Sequence, residues 1–182
     1  RVYVWDDVAV AEKPDPRPQS CHFRIENVPG LDFAPDGALL ATNVLAKADL
    51  WDPGTGSVVR AIPHTHSKHH GPVKFSPDGT KLAVGYRNVV SVYPATDGGF
   101  EPVTCKGHTD AVWSACWSAD GRTLLSASAD GTARLWNPAS GAEVRAFEWG
   151  LGKLHAAAFS ADGLLGAAAS ADGRVVVWDV DG

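Results

Sequence analysis

A short segment, an aromatic residue leading into a small residue and an acidic turn, recurs four times in this chain at a fixed interval. Its copies are Phe33-Ala-Pro-Asp-Gly37, Phe75-Ser-Pro-Asp-Gly79, Trp117-Ser-Ala-Asp-Gly121 and Phe159-Ser-Ala-Asp-Gly163, so the period is 42 residues each time. A repeat of this length is one supersecondary unit that cannot bury its own apolar faces. Its copies must stack on one another to make a core. A second marker follows each first one: an alternating apolar run ending in Trp51, Tyr93, Trp136 or Trp178, at spacings of 18, 18, 19 and 19 residues. A further copy of that run, Val2-Tyr-Val-Trp5-Asp6, opens the chain.

Each unit reads as short strands separated by turn residues. In the third unit, Phe100 to Cys105 is expected to form the outer strand and Val112 to Trp117 the innermost one. Thr123 to Ser128 and Thr132 to Trp136 follow. Asp120-Gly121 and Asp130-Gly131 break the chain between them, as suits hairpins in which glycine accepts positive φ and aspartate bonds nearby backbone. No segment sustains a 3.6-residue period, so almost no helix is expected.

The 42-residue period, the Gly107-His108 pair, the Ser-Ala-Asp-Gly turn and the Trp5-Asp6, Trp51-Asp52 and Trp178-Asp179 pairs together resemble WD repeats. The resemblance implies an all-β propeller of four-stranded antiparallel blades. About four repeats are in view, within approximate units 1–6 (partial), 7–52, 53–94, 95–137 and 138–182. The third strand of a blade would be supplied at both ends, and methionine is absent, so the sequence reads as a fragment forming part of a ring. Some positions depart from the pattern. His66 stands where the third unit has His108, while the first unit has Arg24 and the fourth Gly150; Tyr93 replaces the tryptophan of the second unit.

A Ser, a His and an Asp in one unit invite comparison with a hydrolase triad, but no nucleophile elbow or oxyanion motif accompanies them. The resemblance implies instead a buried hydrogen-bond chain of His108, a strand serine, Asp130 and Trp136. Ser128 is the serine chosen here over Ser126. The resemblance also implies a partner surface beside the start of each inner strand. Trp113 and His155 match such places, flanked by Ala111 and Lys153, with Tyr86 and Arg87 in a shortened hairpin as further candidates. Trp113 is expected either to contact a partner or to pack under a neighbouring loop.

His64, His66, His69 and His70 lie within seven residues and could ligate a transition metal, but no cysteine or carboxylate stands close by to complete a site. A solvated loop is the favoured reading, and no metal or other cofactor is expected. The Pro-rich stretch Ala11 to Pro18 reads as an extended surface loop. Three cysteines, Cys21, Cys105 and Cys116, without a Cys-x-x-Cys, fit small buried hydrophobes better than a disulfide framework. The net charge of −5 with no basic block gives nucleic-acid binding no electrostatic support. No apolar run approaches the ~18 residues of a membrane span. The expectation is a non-catalytic scaffold or adaptor for protein or peptide partners, able to self-associate to complete its ring. The alternative is a regulatory or targeting segment of a larger multi-domain enzyme or signalling protein.

Overall fold

The computed structural model describes residues 30–44, 47–63, 70–96, 99 and 101–182. All regular structure among them is β-strand, in four antiparallel sheets. The first sheet runs β1 (Gly30–Phe33), β2 (Leu40–Val44), β3 (Lys47–Asp52), β4 (Ser57–Pro63). The second runs β5 (His70–Phe75), β6 (Lys81–Tyr86), β7 (Val89–Pro94), β8 (Val103–Lys106). The third runs β9 (Val112–Trp117), β10 (Leu124–Ser128), β11 (Thr132–Trp136), β12 (Glu143–Glu148). The fourth holds three described strands, β13 (Leu154–Phe159), β14 (Leu165–Ser170) and β15 (Val175–Asp179).

Sheets and sequence units are out of step by one strand. The outer strand expected at Phe100 to Cys105 is represented by β8, which hydrogen-bonds to β7 and so closes the sheet before its own unit. Each unit thereby grips its predecessor through main-chain bonds as well as side-chain packing.

The recurring Ser-x-Asp-Gly segment is explained by the turn it builds between first and second strands. Ser76, Ser118 and Ser160 each donate a hydroxyl bond to the aspartate two residues on. That aspartate accepts the N–H of Thr80, Arg122 or Leu164. The glycine between them has φ of 71°, 68° and 76° in the three turns, which a side chain would disfavour. The Ser76 hydroxyl and the Thr80 N–H hold the Asp78 carboxyl down at about 2.

Strand alternation gives each sheet two apolar faces, and the core consists of the junctions between them. At the first junction Ala41, Ala48, Leu50 and Ile62 meet Val73, Phe75, Leu82, Val84 and Tyr93. At the second, Ala83, Val90, Val92 and Cys105 meet Val112, Leu124 and Trp136. At the third, Leu125, Ala127, Ala133 and Leu135 meet Leu154 and Ala168, with Phe159 and Trp178 packed alongside. The contributing positions repeat at the sequence period, so one interface design is used three times. The described sheets do not close on themselves. The outward faces of the first and fourth keep Phe33 and Val175 at 54% and 67% exposure, as in an incomplete propeller ring.

Candidate functional site

The third unit contains the most connected polar group. His108 lies buried in the loop entering β9. Its Nδ1 sits 2.9 Å from Asp130 Oδ2, and its Nε2 lies 2.7 Å from Ser126 Oγ. The Trp136 indole N–H donates to the same hydroxyl oxygen at 2.8 Å. One proton assignment satisfies all of them: His108 is neutral, Nδ1–H donates to Asp130, and Ser126 donates to Nε2 while accepting from Trp136. Burial pushes the His108 imidazole below its ordinary value, against the upward pull of Asp130. Burial alone would raise the Asp130 carboxyl. The Thr109 N–H, the Thr132 hydroxyl and N–H, and His108 outweigh it and bring Asp130 down to about 2.

Ser128, the serine chosen from sequence, is not in this chain. Its hydroxyl donates to the Asp110 carbonyl at 2.9 Å and accepts the Asp130 N–H at 3.1 Å. The reason is register. Trp136 pairs with Leu124, two positions from Ser126 on the same face. A diagonal neighbour at ~7 Å is within reach of an indole, whereas Ser128 is ~13 Å along the strand. Thr132 was also missed; its hydroxyl donates to Asp130 Oδ1 at 2.7 Å.

The arrangement is unsuited to acyl transfer. Ser126 is fully buried, its hydroxyl is held from two sides, and the His108 side chain is 1% exposed. What it does is fix the loop 107–111, because Thr109 N–H and the Asp110 carbonyl are bonded to Asp130 and Ser128. A Cβ on Gly107 would lie 2.7 Å from the Arg134 guanidinium and 3.0 Å from the Trp136 ring, so a side chain there would have to displace those neighbours.

Other units carry parts of the group. Trp51 Nε1 donates to Thr42, the repeat equivalent of Ser126, at 2.9 Å. In the fourth unit Gly150 and Ala168 take the places of His108 and Ser126. The Trp178 N–H is buried with no partner among the described residues. Trp178 instead packs against Phe147 and Trp149, with ring centroids 5.0 and 4.6 Å away.

The fixed loop leads directly into Trp113 on β9. Trp113 is 44% exposed and stacks on the exposed His155 of β13, centroids 5.5 Å apart and planes 11° from parallel. Lys153 is exposed beside it, and Ala111 is half-buried with its carbonyl accepting the Ala129 N–H. Arg87 is exposed with φ of 51°, and its carbonyl accepts the Val112 N–H across the junction. Tyr86 is half-buried at the end of β6. Asn43, not singled out from sequence, is fully buried and donates to the carbonyls of Gly71 and Gly85 at 3.1 and 2.8 Å. Its signal was available: the matching positions hold Gly85, Ala127 and Ala169, none with a polar side chain.

His64, His66, His69, Trp5, Cys21, Arg24 and the Pro-rich stretch lie outside the described residues. His70 opens β5. Among the described residues no group of three or more His, Cys, Asp or Glu is gathered as a metal would need. Cys105 and Cys116 are free thiols, pushed up to about 11 by burial.

Comparison with known proteins bears on these repeats directly. The model of the WD domain, G-beta repeat, matches residues 100–137 and 149–179. The chain is 38% identical over 90 residues to WD repeat-containing protein 1 of Xenopus tropicalis, covering 47% of this chain and 14% of that protein. It is 32% identical over 100 residues to the serine-threonine kinase receptor-associated protein of Gallus gallus, covering 54% of this chain and 28% of that one. With echinoderm microtubule-associated protein-like 2 of Homo sapiens it shares 34% over 128 residues, 64% of this chain and 20% of the relative. The chain thus spans less than a third of the length of each. In fold it is similar to the computationally designed Ika4 protein, with a TM-score of 0.74 and 20% identity over 88% of this chain and 96% of that one. The 42-residue register, the stacked sheets and these matches identify residues 100–137 and 149–179 as WD repeats and support the WD-repeat family for the chain.

Proposed function

We propose that this chain is a non-catalytic interaction module that holds a protein or peptide partner on the surface formed by Trp113 and His155. The carrying observation is the exposed parallel stack of those two rings. It offers a flat, mostly apolar platform with polar edges. Tryptophan is enriched among the residues that dominate binding energy, and a large exposed ring is otherwise costly to keep on a surface. Lys153 adds a cation beside the platform. Rigidity supports the same reading, because a preordered platform loses less entropy on binding. Nothing in the buried His108–Ser126–Asp130 group favours an enzyme.

A second reading, a regulatory or targeting segment within a larger protein, draws on the small share of each relative that the chain spans. It is compatible with the same surface.

The test is selection of peptides from a displayed library against the folded chain, followed by Trp113→Ala and His155→Ala. Binding should weaken by about tenfold or more, worth ~1.4 kcal/mol, while the thermal midpoint stays put. Selected peptides indifferent to both changes would remove this surface from consideration.

A further inference from the structure

Most described arginines have their guanidinium groups engaged. Arg60 donates to the carbonyls of Pro94, Thr96 and Gly99, and Arg145 to that of Gly182. Arg122, Arg134 and Arg174 lie within ion-pair distance of Asp120, Glu143 and Asp172. Arg87 is the exception. Its side chain is exposed and meets no partner among the described residues.

The backbone of Arg87 is equally unusual. Among the described residues it is the one non-glycine with a positive φ, 51°. The β10–β11 and β14–β15 hairpins use Gly131 and Gly173 for this conformation, at 87° and 88°. A side chain in the left-handed region crowds its own backbone, and functional sites are where such strain collects.

The place of Arg87 fits one. Its carbonyl accepts the Val112 N–H at 2.7 Å, and the neighbouring Asn88 side chain donates to the His108 carbonyl at 2.9 Å. The β6–β7 hairpin is thereby tied to the entry of β9, one residue from Trp113. On the other flank Lys153 lies two residues ahead of His155, its carbonyl accepting the Ala171 N–H at 2.9 Å. Lys153 is exposed and likewise has no ion-pair partner among the described residues. Three successive sheets thus carry a free cation, the Trp113–His155 stack and a second free cation. The acids nearby are more heavily engaged. The Asp130 side chain is 5% exposed and accepts from Thr109, Thr132 and His108. Asp172 is paired with Arg174. Asp110 is exposed, with one oxygen held by the Ala111 N–H at 2.7 Å.

We infer that the partner held on the Trp113–His155 platform is an acidic peptide segment, with an apolar or aromatic side chain on the stacked rings and carboxylates beside Arg87 and Lys153. The inference rests on the platform proposed above and adds the charge of what it takes. Two separated cations suit separate carboxylates. A nucleic-acid backbone would bring a continuous run of negative charge toward a chain of net charge −5, which repels it.

Short peptides selected from a random displayed library against the folded chain are the probe. Those whose binding requires Trp113 should be enriched in Asp and Glu, and their affinity should fall as salt is raised. Replacing their acids by Asn and Gln tests the charge without altering the protein, and should weaken binding. Arg87→Gly/Lys153→Gln should weaken the acidic peptides by about threefold to tenfold at low salt and leave the amide versions unaffected. Arg87→Gly alone relieves the left-handed backbone, so it should hold or raise the thermal midpoint while it weakens binding. A purely structural arginine would not give that combination. Trp113-dependent peptides without acidic enrichment, or acidic ones indifferent to the double substitution, would overturn the inference and leave the platform standing. So would an oligothymidylate that displaces a bound peptide at lower concentration than the free peptide does. Peptides indifferent to Trp113→Ala would remove the platform and this inference together.

Discussion

Replacing Ser126 by alanine removes one oxygen and strands two buried groups. The Trp136 N–H loses its acceptor, and His108 Nε2 loses the donor that satisfied it. Water is poorly placed to replace either, since Ser126 and Trp136 are 0% exposed and His108 is 3% exposed. A buried polar group left unsatisfied costs about 1–3 kcal/mol, so the combined loss of two should be about 2–6 kcal/mol. That is a large share of the ~5–15 kcal/mol that holds a typical domain folded. Urea unfolding followed by both tryptophan fluorescence and circular dichroism measures it, with the slope against denaturant expected to stay constant. Ser128→Ala is the control. It removes bonds to loop backbone only, and should cost about 1 kcal/mol. Trp136→Phe in the Ser126→Ala background removes the stranded donor, so the double variant should lose less than the sum of the singles by about 1–2 kcal/mol. The reasoning is refuted if Ser126→Ala costs no more than Ser128→Ala, or if the Trp136 and Ser126 losses simply add.

Two further outcomes follow from the same group. Ala168→Ser should give the buried Trp178 N–H the acceptor that Ser126 gives Trp136, raising stability by about 0.5–1.5 kcal/mol in urea unfolding; an unchanged or lower midpoint would contradict it. For His108 the folded value lies below 6.5, so the unfolded state takes up its proton first as pH falls. The stability this residue contributes is therefore present above 6.5 and is lost on the way down to the folded value, at up to about 1.4 kcal/mol per pH unit. His108→Gln should flatten that part of a pH series of unfolding midpoints, and a wild-type midpoint that rises on acidification would refute the sign.

The strands were legible because their cause is local. Val112 to Trp117 and Thr132 to Trp136 alternate cleanly and end at glycine turns, and the structure keeps both spans. The choice between Ser126 and Ser128 was not legible, since both point to the same face of β10. Only the pairing of Leu124 with Trp136 decides which hydroxyl the indole meets, and that register is a property of two strands together. Contacts across junctions look non-local but follow a rule the sequence contains. Trp113 and His155 are 42 residues apart, as are Asp32 and Lys74, which form a 2.7 Å ion pair, and Asn43 and Gly85. Stacked copies bring equivalent positions together, so the repeat length is also the sequence separation of the contacts that join the sheets.

The fourth sheet shows what the polar group of the third is for. With Gly150 and Ala168 in place of the histidine and serine, β13, β14 and β15 still pair in regular antiparallel register. A sheet of this design therefore forms without the His–Ser–Asp–Trp chain. Trp178 fills its place by apolar packing, helped by Gly166, where any Cβ would lie 2.4 Å from the indole. Burial of the aromatic alone suffices to seat the third strand. What the third unit has in addition is the loop 107–111 bonded at both Thr109 and Asp110 to the β10–β11 hairpin. Buried hydrogen bonds contribute modestly to net stability but penalise every alternative geometry heavily, so they specify position more than they hold the fold together. The position specified here is that of the segment entering β9, one turn of backbone ahead of the exposed Trp113.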